Sequence, residues 1–345
     1  MPSTLARTLG ITTPVLAAPM AGGAGTPALV TAAARAGGLG FLAAGYKTPQ
    51  TFAEEIAVLA AASVPYGVNL FVPNPLPVDR AAFARYAALV AAEGERHGVR
   101  VDPAAAPVED DDAWHAKLAV LRERPAPVVS LTFGLPSRAD LAALRRTGAL
   151  LLQTVTSVAE AKAAAEAGVD VLAVQAAAAG GHSGTFTPTA PVADLSLVDL
   201  VGAVRHATGL PVIAAGGLAT AADVAAAVAA GAGAVAVGTV LLRSAEAGTT
   251  ATHRAALADP ARTTTVITRA FTGRPARALR NGFTERYAEL APFGYPALHH
   301  LTAPMRRAAA AAGDPERVHL WAGTGFRHAT EEPAATILTR LAADL

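Results

Sequence analysis

The sequence contains no cysteine at all. That absence excludes disulfides, Cys-ligated zinc, iron–sulfur clusters and thiolate catalysis together. Aromatic residues are scarce, at 5%, and charged residues make up 16%, against 52% hydrophobic. So much apolar material in 345 residues can bury a large core, in one large domain or two of ordinary size, and argues against disorder over most of the length. An excess of one charge sign is missing too, since 28 Lys+Arg face 27 Asp+Glu for a net +1. No bulk field therefore draws the chain to nucleic acid or to an anionic membrane, and a small neutral or singly charged substrate is the expected partner.

Long hydrophobic runs are nearly absent as well. The N-terminal MPSTLARTLGITTP lacks an apolar core of signal-peptide length, so a cytoplasmic location is expected. Nothing between Asp223 and Arg243 is charged, and the stretch is long enough to span a bilayer. It is mostly Ala and Gly, however, and Gly231, Gly233 and Gly238 divide it into a helical half and a strand-like half. No membrane span is expected.

What is present is a repeat. Ser137, Asp140 and Gly148 precede the apolar run ALLLQTV, and Ser157, Glu160 and Gly168 precede VDVLAVQ at the same spacing. Thr220, Asp223 and Gly231 do so before AGAVAVG, and Thr26 and Gly37, without the acid, before GLGFLAAG. Each copy reads as a hydroxyl N-cap, an acid at the third helical position, about three helical turns, a C-terminal glycine and a buried strand. The strands are continuous apolar runs, as in a parallel sheet covered by helices.

The same logic places strands at Val15–Pro19, Leu39–Ala43, Tyr66–Phe71, Pro127–Thr132, Leu150–Thr154, Val169–Gln175, Pro211–Ala215 and Ala234–Gly238. Eight strands over roughly 240 residues match an α/β fold of the (β/α)8 TIM barrel type. A doubly wound sheet is the alternative and usually needs fewer strands. Residues 73–125 form an enlarged third crossover whose acidic cluster Glu109–Asp112 reads as a helix start or solvated loop, since consecutive acids cannot all face one metal ion. The expected division is a barrel over 1–243, a second, smaller domain over the barrel mouth at 244–318, and a C-terminal segment, 319–345, returning to the barrel.

Chemistry in this fold sits after the C-terminal ends of the strands. The candidates there are Met20, Gly45-Tyr46-Lys47, Asn69, Gln175, the loop Ala179-Gly180-Gly181-His182-Ser183-Gly184, Gly216-Gly217 and Gly238-Thr239. They include no paired carboxylates, no His/acid metal cluster and no Ser–His–acid set, so an organic cofactor is required. Gly217 and Gly238 stand where such barrels bind phosphate on backbone N–H groups, and the Thr239 hydroxyl can add a donor. Asn69 and Gln175 carry amides suited to a flavin edge, although either could be a satisfied structural amide. His182 is the one histidine placed on a mouth loop, as base or oxyanion partner, with a plain surface histidine as the bland reading. His299 and His300 are read as surface or interdomain residues.

The segments LAAPMAGGAGTPALVTAAARAGGLGFLAAGY, GVNLFVP, VQAAAAGGHSGTF, PVIAAGGLATAADVAAAVAAGAGAVAVGT, TGRPARALRNGF and WAGTG resemble the nitronate monooxygenase family, over almost the whole chain and in order. The resemblance implies an FMN-dependent barrel that oxidises alkyl nitronates, such as propionate 3-nitronate, with O2 to a carbonyl compound and nitrite. By matching motif, Asn69, Gln175, Gly180, Gly181, Gly217 and the turn Ala236, Val237, Gly238, Thr239 would hold FMN, with Met20 lining its ring. His182 would be the catalytic histidine, and Tyr295 with Trp321 to Thr324 would close the substrate pocket. Barrels of this sort often form homodimers, though the sequence does not fix the state.

Two departures stand out. Ala178 occupies a position where the family commonly has Glu, and Thr324 one where it commonly has Gln. Loss of the carboxylate is expected to lower the His182 pKa. Arg269, Arg274, Arg277 and Arg280 could meet a substrate carboxylate, with interdomain salt bridging as the alternative. The competing functions are an NAD(P)H-dependent flavin reductase of a quinone or enoyl thioester, and a non-catalytic FMN-binding barrel.

Overall fold

In the computed structural model, which describes residues 4–345, the hydroxyls that precede the repeated helices do cap them. Thr26, Ser137, Ser157 and Thr220 accept from the backbone N–H three residues on, and Thr220 with Asp223 closes a reciprocal capping box. Gly37, Gly148, Gly168 and Gly231 have positive φ where these helices stop.

The helices alternate with eight parallel strands: β1 (Val15–Ala17), β2 (Gly40–Ala43), β3 (Tyr66–Phe71), β4 (Val128–Thr132), β5 (Leu150–Val155), β6 (Val171–Gln175), β8 (Val212–Ala215) and β9 (Ala234–Val237). They form a closed barrel in that order, with β9 returning to β1 in the register Val15↔Val235, Leu16↔Ala236, Ala17↔Val237. Closure excludes the doubly wound alternative. All eight expected strands are present, their ends within two residues of the sequence reading. The uncharged stretch after Asp223 divides into the helix Ala221–Ala229 and β9, and no helix among the described residues is long and apolar enough to cross a membrane.

Two apolar layers hold the barrel. Inward side chains, among them Leu16, Phe41, Leu152 and Ile213, pack with Leu5, Ala6, Leu9 and Ile11, so the short helix Thr4–Leu9 plugs one end. Outward ones, such as Val15, Leu42, Val68 and Val235, pack under the surrounding helices, where the last helix Ala334–Leu341 also seats Ile337, Leu338 and Leu341.

At the opposite end a three-stranded antiparallel sheet, β7 (Gly181–His182), β11 (Ala276–Leu279) and β10 (Thr265–Thr268), is built partly from the loop after β6. A third apolar cluster joins Val78, Phe83, Tyr86 and Val90 to Phe271, Phe283, Leu298 and Met305. The helix Arg80–Glu95 of the enlarged crossover therefore shares a core with residues from the second half. The acidic cluster anchors that crossover. Glu109 accepts from the Val78 N–H, and Asp112 accepts from the Tyr46 N–H at 2.9 Å while pairing with the buried Lys117 at 2.7 Å.

Leu9→Ala should lower stability by about 2–5 kcal/mol, because it opens a cavity in the plug, whereas exposed Val58→Ala should change it by less than about 0.5 kcal/mol. Urea unfolding checks this: the Leu9→Ala midpoint falls with the slope unchanged, and equal midpoints for the two variants would refute the plug.

Candidate active site

One cavity of about 480 Å³ opens at the ends of β1, β3, β6, β8 and β9, within the size range of cofactor sites. Met20, Asn69, Gln175, Gly180, Gly181, His182, Gly217, Ala236, Val237, Gly238, Thr239 and Trp321 all line it. Tyr295 and Thr324 do not. Tyr295 packs its ring 5.7 Å from that of His182, and Thr324 donates its N–H to the Ala178 carbonyl at 3.1 Å.

The glycines have separate reasons. Gly217 has φ +80, a conformation that exposes successive backbone N–H groups. Among the described residues, nothing in the protein accepts from the N–H groups of Gly217, Gly238 or Thr239, so the cavity floor at β8 and β9 presents three free donors. Gly180 is required by contact, since a Cβ there would lie 2.5 Å from the Gly323 nitrogen. The departures at 178 and 324 thus belong to one packed junction.

The two amides are used differently. Asn69, 2% exposed, donates through Nδ2 to Ser130 and Thr132, and Oδ1 receives no donor from the described residues. Gln175 holds the histidine loop, donating to the His182 carbonyl and accepting from the Gly184 N–H at 2.7 Å.

His182 lies among Phe133, Tyr295 and Trp321, with Nε2 2.9 Å from the Thr272 hydroxyl. Burial, and then the Arg274 and Arg306 guanidiniums, push its pKa down to about 3. The main cause is burial. Burial also pushes the Tyr46 hydroxyl up to about 12, so it keeps its proton. Tyr295 donates to the Tyr46 oxygen at 3.2 Å, which leaves the Tyr46 proton available to the cavity that this residue lines.

Several groups that line the cavity escaped the sequence. His299, read there as a surface or interdomain residue, instead lines the cavity, stacked on Tyr46 with ring centroids 4.0 Å apart. Its Nδ1 lies 3.3 Å from Arg306, and burial with that cation holds it neutral. Arg306, 5% exposed, also lines the cavity and among the described residues has no carboxylate partner, only Thr302 and His299. His253, His319 and Thr249 also line the cavity, each with a buried polar atom that makes no hydrogen bond among the described residues. Three of the four arginines singled out from sequence, Arg269, Arg274 and Arg277, donate to backbone carbonyls. Arg274 donates to the Ser183 and Thr185 carbonyls and lies 4.0 Å over the Phe133 ring. Arg277 donates to Ala177, and Arg269 to Ala291. None of these three lines the cavity, and among the described residues none forms a salt bridge. His300 does pair with Asp110, at 2.9 Å.

Burial lowers the pKa of His182, His253, His299 and His319. Between pH about 6.5 and these lowered values the unfolded chain binds protons that the folded chain refuses. Stability from this source is complete above pH about 6.5 and falls with acidification, on the order of 1 kcal/mol per pH unit for each histidine. Urea midpoints measured from pH 7.5 to 5 should drop steeply, and His253→Gln should flatten the drop. A level profile would contradict burial of neutral imidazoles.

The chain matches the nitronate monooxygenase family over residues 3–344. It is 33% identical to a probable nitronate monooxygenase of Staphylococcus aureus (strain Newman) over 341 residues, 98% of this chain and 95% of that protein. Among solved structures it is similar to a nitroalkane oxidase from Streptomyces ansochromogenes, with TM-score 0.90 and 44% identity over 99% of this chain and 98% of the other. FabK from Thermotoga maritima follows at TM-score 0.75 and 25% identity, covering 99% and 95%. With a closed parallel barrel, a small sheet at its mouth and a half-buried histidine sharing a cavity with free backbone donors, the chain belongs to the nitronate monooxygenase family of flavin-dependent oxidoreductases.

Proposed function

We propose that the protein oxidises alkyl nitronates with O2 to a carbonyl compound and nitrite, using FMN. The observation that carries this reading is an unpaired cation, Arg306, in an apolar chamber shared with neutral His182 and three unused backbone N–H groups. A nitronate is an anion, and a buried guanidinium with no carboxylate partner favours one.

The residues suit FMN. The N–H groups of Gly217, Gly238 and Thr239 would take the phosphate, as helix-end and nest amides do. Asn69 Oδ1 and the second Gln175 Nε2 proton would meet the polar edge of the ring, with Met20, Gly180, Gly181, Ala236 and Val237 against it. When bound, the flavin supplies the electron acceptor and the reaction with O2 that no side chain here can provide.

The chain's own residues bind and orient. Arg306 and the Tyr46 O–H would hold the nitro oxygens, their charge raised in effect by the surrounding apolar side chains. Tyr295 fixes the Tyr46 hydroxyl by donating to it. Trp321 and Phe133 flank the His182 ring and limit water there. His182, uncharged at neutral pH, is an available proton acceptor when a neutral nitroalkane rather than its nitronate enters. Tyr295, Trp321 and Thr324 would border the substrate side, Tyr295 and Thr324 from behind the surface.

Purified, flavin-loaded protein given an alkyl nitronate without NAD(P)H should consume O2 and release nitrite. No turnover in yellow protein, with rapid anaerobic bleaching by NAD(P)H, would overturn the reading in favour of a reductase. Arg306→Gln should raise the nitronate KM about tenfold or more, the loss of one charge-assisted contact. An unchanged KM would remove Arg306 from substrate binding.

A further inference from the structure

Thr272, between β10 and β11, is 1% exposed and lines the cavity. Its Oγ1 has two polar neighbours, His182 Nε2 at 2.9 Å and the Arg274 carbonyl oxygen at 3.3 Å. A hydroxyl has one proton to give and must choose between them. Among the described residues the Arg274 carbonyl receives no other donor. Turning the Thr272 proton toward His182 would orphan that carbonyl beside a fully buried side chain, which is the costly arrangement. With the proton on the carbonyl, Thr272 Oγ1 can only accept, and His182 Nε2 must carry the hydrogen.

In a neutral imidazole the other nitrogen then holds the lone pair. His182 Nδ1 makes no hydrogen bond within the described residues, and the ring lines the cavity. Its position is set from both ends. Gln175 binds the His182 carbonyl and the Gly184 N–H, and Arg274 binds the Ser183 carbonyl.

We propose that Thr272 is a positioning residue that locks His182 as the Nε2–H tautomer and presents a bare Nδ1 to the chamber as a proton acceptor. The inference rests on the reading of His182 as the base for neutral nitroalkanes, and it divides the labour of the site. In this tautomer Nδ1 cannot donate to a nitronate oxygen, so that task falls to Arg306 and the Tyr46 hydroxyl. His182 instead takes the proton from the carbon beside the nitro group: the C–H bond breaks, its electron pair enters the C=N bond of the nitronate, and Nδ1 becomes N–H. No oxidant is needed for this step.

The test is spectroscopic first. Flavin-loaded protein labelled with 15N-histidine should show the His182 Nδ1 in the unprotonated range and Nε2 in the protonated range, the signals being assigned by their loss in His182→Gln. Thr272→Val, which removes the acceptor at similar size, should mix the two tautomers and cut the ratio of neutral-nitroalkane to nitronate kcat/KM about tenfold. Thr272→Ser should restore both. A protonated Nδ1 in the unsubstituted protein, or a Thr272→Val spectrum and ratio unchanged from it, would overturn the proposal. If the protein turns over neither substrate while Nε2–H persists, the tautomer assignment stands and the proposed function falls.

Discussion

Eight parallel strands closed into a ring must direct all their C-terminal ends to one face. The rest of the molecule depends on that constraint, which the pairing of β9 with β1 completes. It brings Asn69, Gln175, Gly217 and Gly238 together although they come from four strands spread over some 170 residues of chain. The same closure gives the opposite face to the helix Thr4–Leu9, which fills the barrel with Leu5 and Leu9 and leaves the mouth alone open. Chemistry and stability are thereby assigned to different ends.

The cap over the mouth is held by an unusual economy of charge. Arg274 and Arg306 are buried with carbonyls, a hydroxyl and an imidazole as partners, and among the described residues neither meets a carboxylate. Buried ions without counter-charges are ordinarily disfavoured. Here the uncompensated positive field acts on every titratable neighbour in one direction. Burial first, and this field second, keep His182 and His299 unprotonated, while burial keeps Tyr46 and Tyr295 protonated. The chamber therefore holds its hydrogen-bond donors and acceptors in fixed states through the physiological pH range.

The barrel was legible in the sequence because its signals are local. A hydroxyl, an acid three residues on and a glycine eleven residues on announce a helix by capping chemistry alone, and apolar runs follow as strands. The floor of the cavity was legible for the same reason, since Gly217 and Gly238 end strands. The cap was not. Arg306 and His299 lie on one helix, Ala297–Ala311, whose pattern resembles any amphipathic surface helix; only its packing against Phe271 and Tyr46 turns them inward. Arg274 drew attention as part of an arginine-rich segment, but its partners, the carbonyls of Ser183 and Thr185, have no sequence signature. Thr272 is legible only once His182 is beside it.

The cap also has a temporal meaning. Tyr46 and Tyr295 are joined by a hydrogen bond across 249 residues, and the cluster under them unites Val78–Val90 with Phe271–Met305. Contacts so distant along the chain close only after both parts exist and their loop entropy has been overcome. A chain growing from its N-terminus completes all eight barrel strands at Val237 and the last backbone donor of the floor at Thr239, well before the helix bearing His299 and Arg306 has been made. During synthesis the free backbone donors of the floor thus exist before the chamber that encloses them is closed.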